Sequence, residues 1–222
     1  LIYLTKENDQ TRLDQIPLAQ SSLISFNPKS GEVQSYVGGS VFNDSQFDRV
    51  RQSYPQSGSV FKPFIYASAL SGGYNPSSLI NDAPIIFEDE NLETFWRPEN
   101  YSGKFYGLTT LREALVQSIN IVSIKLLREI GVKKSSEIID NFGFNFDRLP
   151  QDLSLALGSG NFSPAEVARG FSVFANDGVI SDIHYVRQIR DKNDNIIFDH
   201  SESNDVNISS ISAFPWLNTV QL

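Results

Sequence analysis

Between Phe61 and Leu70 the chain is apolar at almost every position: Phe61-Lys-Pro-Phe-Ile-Tyr-Ala-Ser-Ala-Leu70 carries one charge, Lys62. A run of that kind fits a helix buried on most sides. Pro63 fixes where it begins, because proline lacks an N–H and fits only the first turn of a helix. The helix therefore starts no earlier than Val60, with Ser59 at or beside the N-cap, and it stops at Gly72-Gly73. Upstream the pattern is that of strands. Ser22–Phe26 and Glu32–Val37 flank the turn Asn27-Pro-Lys-Ser-Gly31, a hairpin signal. Residues 1–20 are mixed and polar and read as a linker or edge strand; 74–108, broken by Pro76, Pro84 and Pro98, read as irregular.

Helical periodicity then takes over. Thr110-Leu-Arg-Glu113 is a capping box opening a helix over Leu111–Gln117. Asn120 is placed to cap a second, Ile121–Ile130, which Gly131 ends. A short third spans Ser135–Asn141. Ser163-Pro-Ala-Glu166 is another capping box, with proline at its first position, for a helix reaching about Asn176; Glu166 thereby has a structural role. His184–Arg190 and Ile196–Phe198, joined by Asp191–Asn195, read as a second hairpin. Strands at both ends with helices between them predict an α/β layered domain.

Composition narrows the function classes. Hydrophobic residues make up 40% and charged residues 20% of the 222, enough for an ordinary core. A net charge of −8 argues against a nucleic-acid partner, which needs clustered Lys and Arg. No apolar run approaches the ~18 residues of a membrane span. Cysteine is absent, so disulfides and thiol chemistry are excluded, and methionine is absent too. The chain opens on Leu1 with no signal peptide, as a piece of a longer polypeptide does.

Chemistry concentrates at two places. Ser59 lies at a helix N-terminus, among free N–H donors and the positive end of the helix dipole. Lys62, three positions on, returns to the same side one turn later. Alone, Ser-x-x-Lys is most often a cap followed by a surface lysine. Here the lysine is embedded in apolar sequence, and desolvation lowers a lysine pKa. A neutral amine beside a hydroxyl is a general base beside a nucleophile. The only histidines, His184 and His200, sit at a strand start and after a polar hairpin, which leaves a Ser-His-Asp triad little support. The second place is Gln117-Ser-Ile-Asn120, at the joint of two helices, where Ser118 and Asn120 offer a hydroxyl and a carboxamide. Two metal lookalikes are set aside. Glu88-Asp-Glu90 reads as a solvated loop. Asp191-x-Asn193-x-Asn195 with Glu202 mimics a calcium loop but has Ile196 where glycine is needed.

Ser59-x-x-Lys62 followed by Ser118-x-Asn120 resembles the first two motifs of the penicillin-binding proteins and serine β-lactamases. Arg51-Gln52, Trp96-Arg-Pro-Glu-Asn-Tyr101, Leu111-Arg-Glu-Ala-Leu115, Ala156-Leu-Gly-Ser-Gly160, Ser163–Gly170 and Ala175-Asn-Asp-Gly178 extend the likeness over roughly residues 20–200. Together they are similar to the transpeptidase domain of class A, bifunctional penicillin-binding proteins. The resemblance implies an α/β (α+β) fold, an antiparallel sheet with a helical subdomain, spanning residues 21–222 and lacking its final strands. It implies a D,D-transpeptidase that cross-links D-Ala-D-Ala stem peptides of peptidoglycan and is acylated by β-lactam antibiotics. Ser59 is then the nucleophile and Lys62 its base. Ser118 relays a proton to the leaving amine, and Asn120 holds the substrate amide and steadies Lys62. No metal or cofactor is needed. Such a domain works on the extracytoplasmic face of the bacterial cell membrane, joined to an N-terminal glycosyltransferase domain and a membrane anchor.

One departure stands out. The third motif of that group, Lys-Thr/Ser-Gly on a later strand, does not occur downstream of Asn120; Lys29-Ser30-Gly31 matches the letters but precedes Ser59, in a hairpin turn. A domain truncated before this motif accounts for it. A non-catalytic sensor or scaffold that binds β-lactam or stem peptide is the rival from another class. A β-lactamase or D,D-carboxypeptidase is the rival in chemistry, although Gly131–Pro150 offers no Glu-x-x-Leu-Asn pattern for activating water.

Overall fold

The computed structural model describes residues 3–14, 19–89 and 94–200. Helix α1, Lys62–Ser71, is its centre. Phe64, Ile65, Ala67 and Ala69 are at most 1% exposed, so the helix is buried on nearly all sides, as its unbroken apolar run predicts. Around it pack α3 (Asn120–Ile130) and α4 (Val132–Asp140), and the short α2 (Leu111–Val116) closes one end. Phe61 and Phe64 anchor α1 in an aromatic cluster with Phe142, Phe144, Phe162, Phe171 and Phe174, with ring centroids 4.8–5.6 Å apart around Phe64. Edge-to-face pairs of this kind add about 0.5–1.5 kcal/mol each beyond the area they bury.

Helix α5, Pro164–Ala175, has the capping box read from the sequence: Ser163 Oγ accepts from the Glu166 N–H, and Glu166 Oε2 accepts from the Ser163 N–H. It also packs on β3 (Leu23–Phe26), which pairs antiparallel with β4 (Val33–Val37) around the Asn27–Gly31 turn. Lys29-Ser30-Gly31 is that turn, closed by Asn27 Oδ1 accepting from the Lys29 and Ser30 N–H groups. At the far end β9 (Gln188–Arg190) and β10 (Ile196–Asp199) form the second hairpin, its first strand shorter and its second one residue longer than the sequence pattern predicts. Asp191 spends both carboxylate oxygens on that turn, accepting from the Asn193 and Asn195 N–H groups and from the Asn195 side chain. Glu202 lies outside the described residues.

Two regions differ from expectation. Residues 3–14 form a hairpin of their own, β1 (Tyr3–Glu7) with β2 (Gln10–Asp14). Asn8 and Asp9 adopt φ of 48° and 61° between them, the paired left-handed turn that matches strand twist. The stretch 74–108, expected to be irregular, holds β5 (Leu79–Asp82), β6 (Phe87–Asp89), β7 (Thr94–Trp96) and the start of β8 (Gly107–Thr110). The backbone of Glu88 and Asp89 thus lies in a strand rather than a loop. These strands are three or four residues long, too short for an alternating pattern to show. Strand β5 pairs with β8, and β8 runs directly into α2.

Candidate active site

Ser59 does not cap α1. It lies inside a single 3-10 turn, Gly58–Phe61, whose last bond runs from the Lys62 N–H to the Ser59 carbonyl, and Phe61 is the N-cap of α1. Pro63 is the second residue of α1, within the first turn that proline tolerates. The tighter turn matters, because side chains at i and i+3 of a 3-10 helix eclipse one another. The turn brings Ser59 and Lys62 to one cavity of about 360 Å³, which both line together with Ser118.

The nucleophile turn is held from outside. The Gly58 N–H donates to the Gly158 carbonyl at 2.9 Å and the Ser57 N–H to the Gly160 carbonyl at 3.1 Å; Ser57 Oγ reaches the same two carbonyls. Gly158 has φ +73°, and a Cβ there would stand 1.9 Å from the Gly58 carbonyl oxygen. Only glycine permits this approach. The segment 156–160 thus clamps the residue before Ser59, a function its sequence alone does not disclose.

Lys62 is 1% exposed while Ser59 is open to solvent. Its Nζ donates to the Ser118 carbonyl at 2.6 Å, to Ser118 Oγ at 3.0 Å and to Asn120 Oδ1 at 2.7 Å. Burial pulls the amine down from its ordinary 10.5 to about 8. That is the range in which a lysine serves as a base near neutral pH. When the amine is neutral, two N–H groups remain for the Ser118 carbonyl and Asn120 Oδ1, and the lone pair turns to a hydroxyl.

The corner carrying Ser118 and Asn120 has its own geometry. Ser118 adopts φ +52°, a left-handed conformation that costs a non-glycine residue about 1–2 kcal/mol. In that conformation its carbonyl and its hydroxyl both face Lys62. Asn120 is the first residue of α3, not its cap; the N-cap is Ile119, which has no side-chain acceptor. Asn100 does the capping instead: its Oδ1 accepts from the N–H groups of Asn120 and Ile121 at 3.0 and 3.1 Å. The Asn120 side chain is released to meet Lys62, and its Nδ2 donates to the Glu99 carbonyl at 2.9 Å. The sequence singles out Trp96–Tyr101 only as a likeness and shows nothing of this contact across 20 residues. His184 and His200 stack on each other at 3.5 Å, bordering a different cavity from Ser59. Among the described residues no group of three or more His, Asp or Glu side chains is placed to hold a metal.

Residues 22–214 match the family profile of the penicillin-binding protein transpeptidase domain. This chain belongs to that family. It is 44% identical over 193 residues to penicillin-binding protein 1A of Pseudomonas aeruginosa, covering 87% of this chain and 24% of that protein. Against penicillin-binding protein 1A of Vibrio cholerae the identity is 42% over 187 residues, covering 84% and 23%. The chain thus spans about a quarter of the length of these relatives. The crystal structure of penicillin-binding protein 1A from Haemophilus influenzae superposes with a TM-score of 0.85 at 36% identity, over 89% of this chain and 30% of that one. A penicillin-binding protein of Mycobacterium tuberculosis shares the fold at a TM-score of 0.73 and 21% identity, over 86% and 53%. The transpeptidase fold expected from the motifs is the fold observed, and its relatives are class A members of the family.

Proposed function

We propose that the domain is a serine D,D-transpeptidase. The observation that carries this reading is the buried Lys62 amine, lowered to about 8 and held on Ser118 and Asn120 in the cavity that Ser59 borders. Ser59 Oγ attacks the carbonyl of the penultimate D-Ala of a stem peptide, and its proton passes to Lys62 Nζ. The Ser59 N–H, in the first turn of the 3-10 segment where no intrahelical acceptor reaches, supplies an oxyanion donor. Collapse of the tetrahedral intermediate breaks the peptide bond; the leaving D-Ala amine takes a proton from Lys62 through Ser118 Oγ, which lies 3.0 Å from Nζ. An ester on Ser59 remains. An amine of a second stem peptide attacks it, forms the cross-link and returns the proton to Ser59.

β-Lactams open on the same hydroxyl. The substrate is peptidoglycan, so the domain operates outside the cytoplasmic membrane, and the longer protein supplies a glycosyltransferase domain and an anchor. Among the described residues no helix is long and apolar enough to cross a membrane. The test is labelling of the full-length protein with a fluorescent penicillin. Wild type acquires label on the peptide containing Ser59 and Ser59→Ala acquires none. Equal labelling of the two removes Ser59 as nucleophile.

A further inference from the structure

The first N–H groups of α3 need acceptors, and no residue at its own N-terminus provides one. Asn100 provides it and is itself anchored. Its Nδ2 lies 2.9 Å from both oxygens of Asp82, a carboxylate that is 1% exposed, and 2.9 Å from the Lys104 carbonyl. Asp82 also accepts from the Tyr106 N–H at 2.9 Å. Lys125 Nζ donates to the carbonyls of Asn81 and Ala83, on either side of Asp82, which pins that end of β5 to α3. The chain of contacts therefore runs from Asp82 to Asn100, to the backbone of Asn120, and through Asn120 Oδ1 to Lys62.

A buried carboxylate orients the Asn100 carboxamide with its N–H₂ inward and its oxygen toward the positive end of α3. That orientation frees Asn120. An asparagine capping its own helix bends its oxygen back onto the N–H groups two or three positions on; here the same oxygen reaches Nζ at 2.7 Å. The neighbouring Glu99 carbonyl holds the other end of the Asn120 amide, so one loop fixes both the backbone and the side-chain plane of that residue.

We propose that Asn100, oriented by the buried Asp82 carboxylate, is a positioning residue for the reaction: it sets where Asn120 and Ser118 meet Lys62, and so keeps the base in register with Ser59. This rests on the serine-transpeptidase reading. Asn100 touches no reacting atom; it acts through the placement of Asn120. Displacing a group by about 1 Å costs on the order of 100-fold in rate.

The test measures the second-order rate of acylation by fluorescent penicillin in the full-length protein, at a temperature where circular dichroism shows each variant folded. Asn100→Ala is expected to slow acylation by about 10- to 100-fold. Asn100→Ala combined with Asn120→Ala is expected to fall within about threefold of Asn120→Ala alone, because both changes act through one contact. Exchanging the partners, Asp82→Asn with Asn100→Asp, keeps one charge, the Asn–Asp pairing and an acceptor for the α3 N–H groups but leaves the Lys104 carbonyl without its donor, and is expected to recover part of the rate, above that of Asn120→Ala. Arg169→Ala, which breaks the ion pair of α5 with Asp182 away from the cavity that Ser59 borders, lowers the melting temperature and leaves the rate within about threefold of wild type, separating stability from placement. The proposal is overturned if folded Asn100→Ala acylates at the wild-type rate, or if the Asn100 and Asn120 losses multiply as independent damage does. Should Asn100→Ala not fold, the exchanged pair decides: a folded exchange variant no faster than Asn120→Ala overturns it. Ser59→Ala that still labels sinks the transpeptidase reading. Ser59→Ala that is silent beside a fully active Asn100→Ala sinks only the role of Asn100.

Discussion

Ser118 shows how much of the site is set by one backbone angle. Its φ of +52° aims two oxygens at Lys62, and the strain is held by the helices on either side. Two substitutions separate the hydroxyl from the strain. Ser118→Ala removes the hydroxyl and keeps a Cβ in the left-handed region; Ser118→Gly removes both. Each is expected to lower the acylation rate by about 10²–10⁴-fold, the usual contribution of a positioned proton carrier. The Gly variant is expected to melt above the Ala variant by about 2–4 °C, since relief of about 1 kcal/mol moves a domain of this size by that much. Acylation near the wild-type rate in both variants contradicts the proton-relay role, and equal melting temperatures contradict the strain.

The nucleophile turn is the element on which the site depends, and its partner lies 100 residues away. Gly158 and Gly160 accept the N–H groups of Gly58 and Ser57 and leave no room for a side chain. Gly158→Ala forces a Cβ into the Gly58 backbone at a residue with positive φ. Penicillin labelling of the folded variant is expected to fall at least tenfold, with a loss of stability of about 1–3 kcal/mol seen by thermal melting. A variant that labels and melts like wild type shows that the clamp is dispensable. The same comparison explains what was legible beforehand. Pro63 and the apolar run disclosed α1 and the burial of Lys62, and Ser163-Pro-Ala-Glu166 disclosed α5, because those signals are local. Asn120 looked like a cap because an asparagine before an apolar helix usually is one. The residue that took over the task stands on a loop 20 positions earlier, where no local rule reaches. The strands of 74–108 escaped for a related reason: their pairing, such as Leu79 with Thr110, is set by tertiary contacts and not by a pattern within each strand.

At the scale of the molecule, an ammonium is placed at the root of the most buried helix and supported by an aromatic cluster around Phe61 and Phe64. Folding lowers the lysine from 10.5 to about 8, so between those values the unfolded chain binds more protons and stability rises with pH. Below about pH 8 the burial penalty is present in full. The domain accepts it, and the gain is an amine whose neutral form, the minority below pH 8, is far more populated near physiological pH than that of a free lysine, a trade of stability for activity. Replacement by arginine, which stays charged at any accessible pH, removes the base while keeping the cation. The most direct measurement is the pH dependence of the second-order acylation rate of the full-length protein, which reports groups of the free enzyme. The rate is expected to rise tenfold per pH unit on the acid side and level off near pH 8, with Lys62→Arg inactive throughout. A rate independent of pH between 6 and 9, or an active Lys62→Arg, contradicts activation of Ser59 by a neutral Lys62.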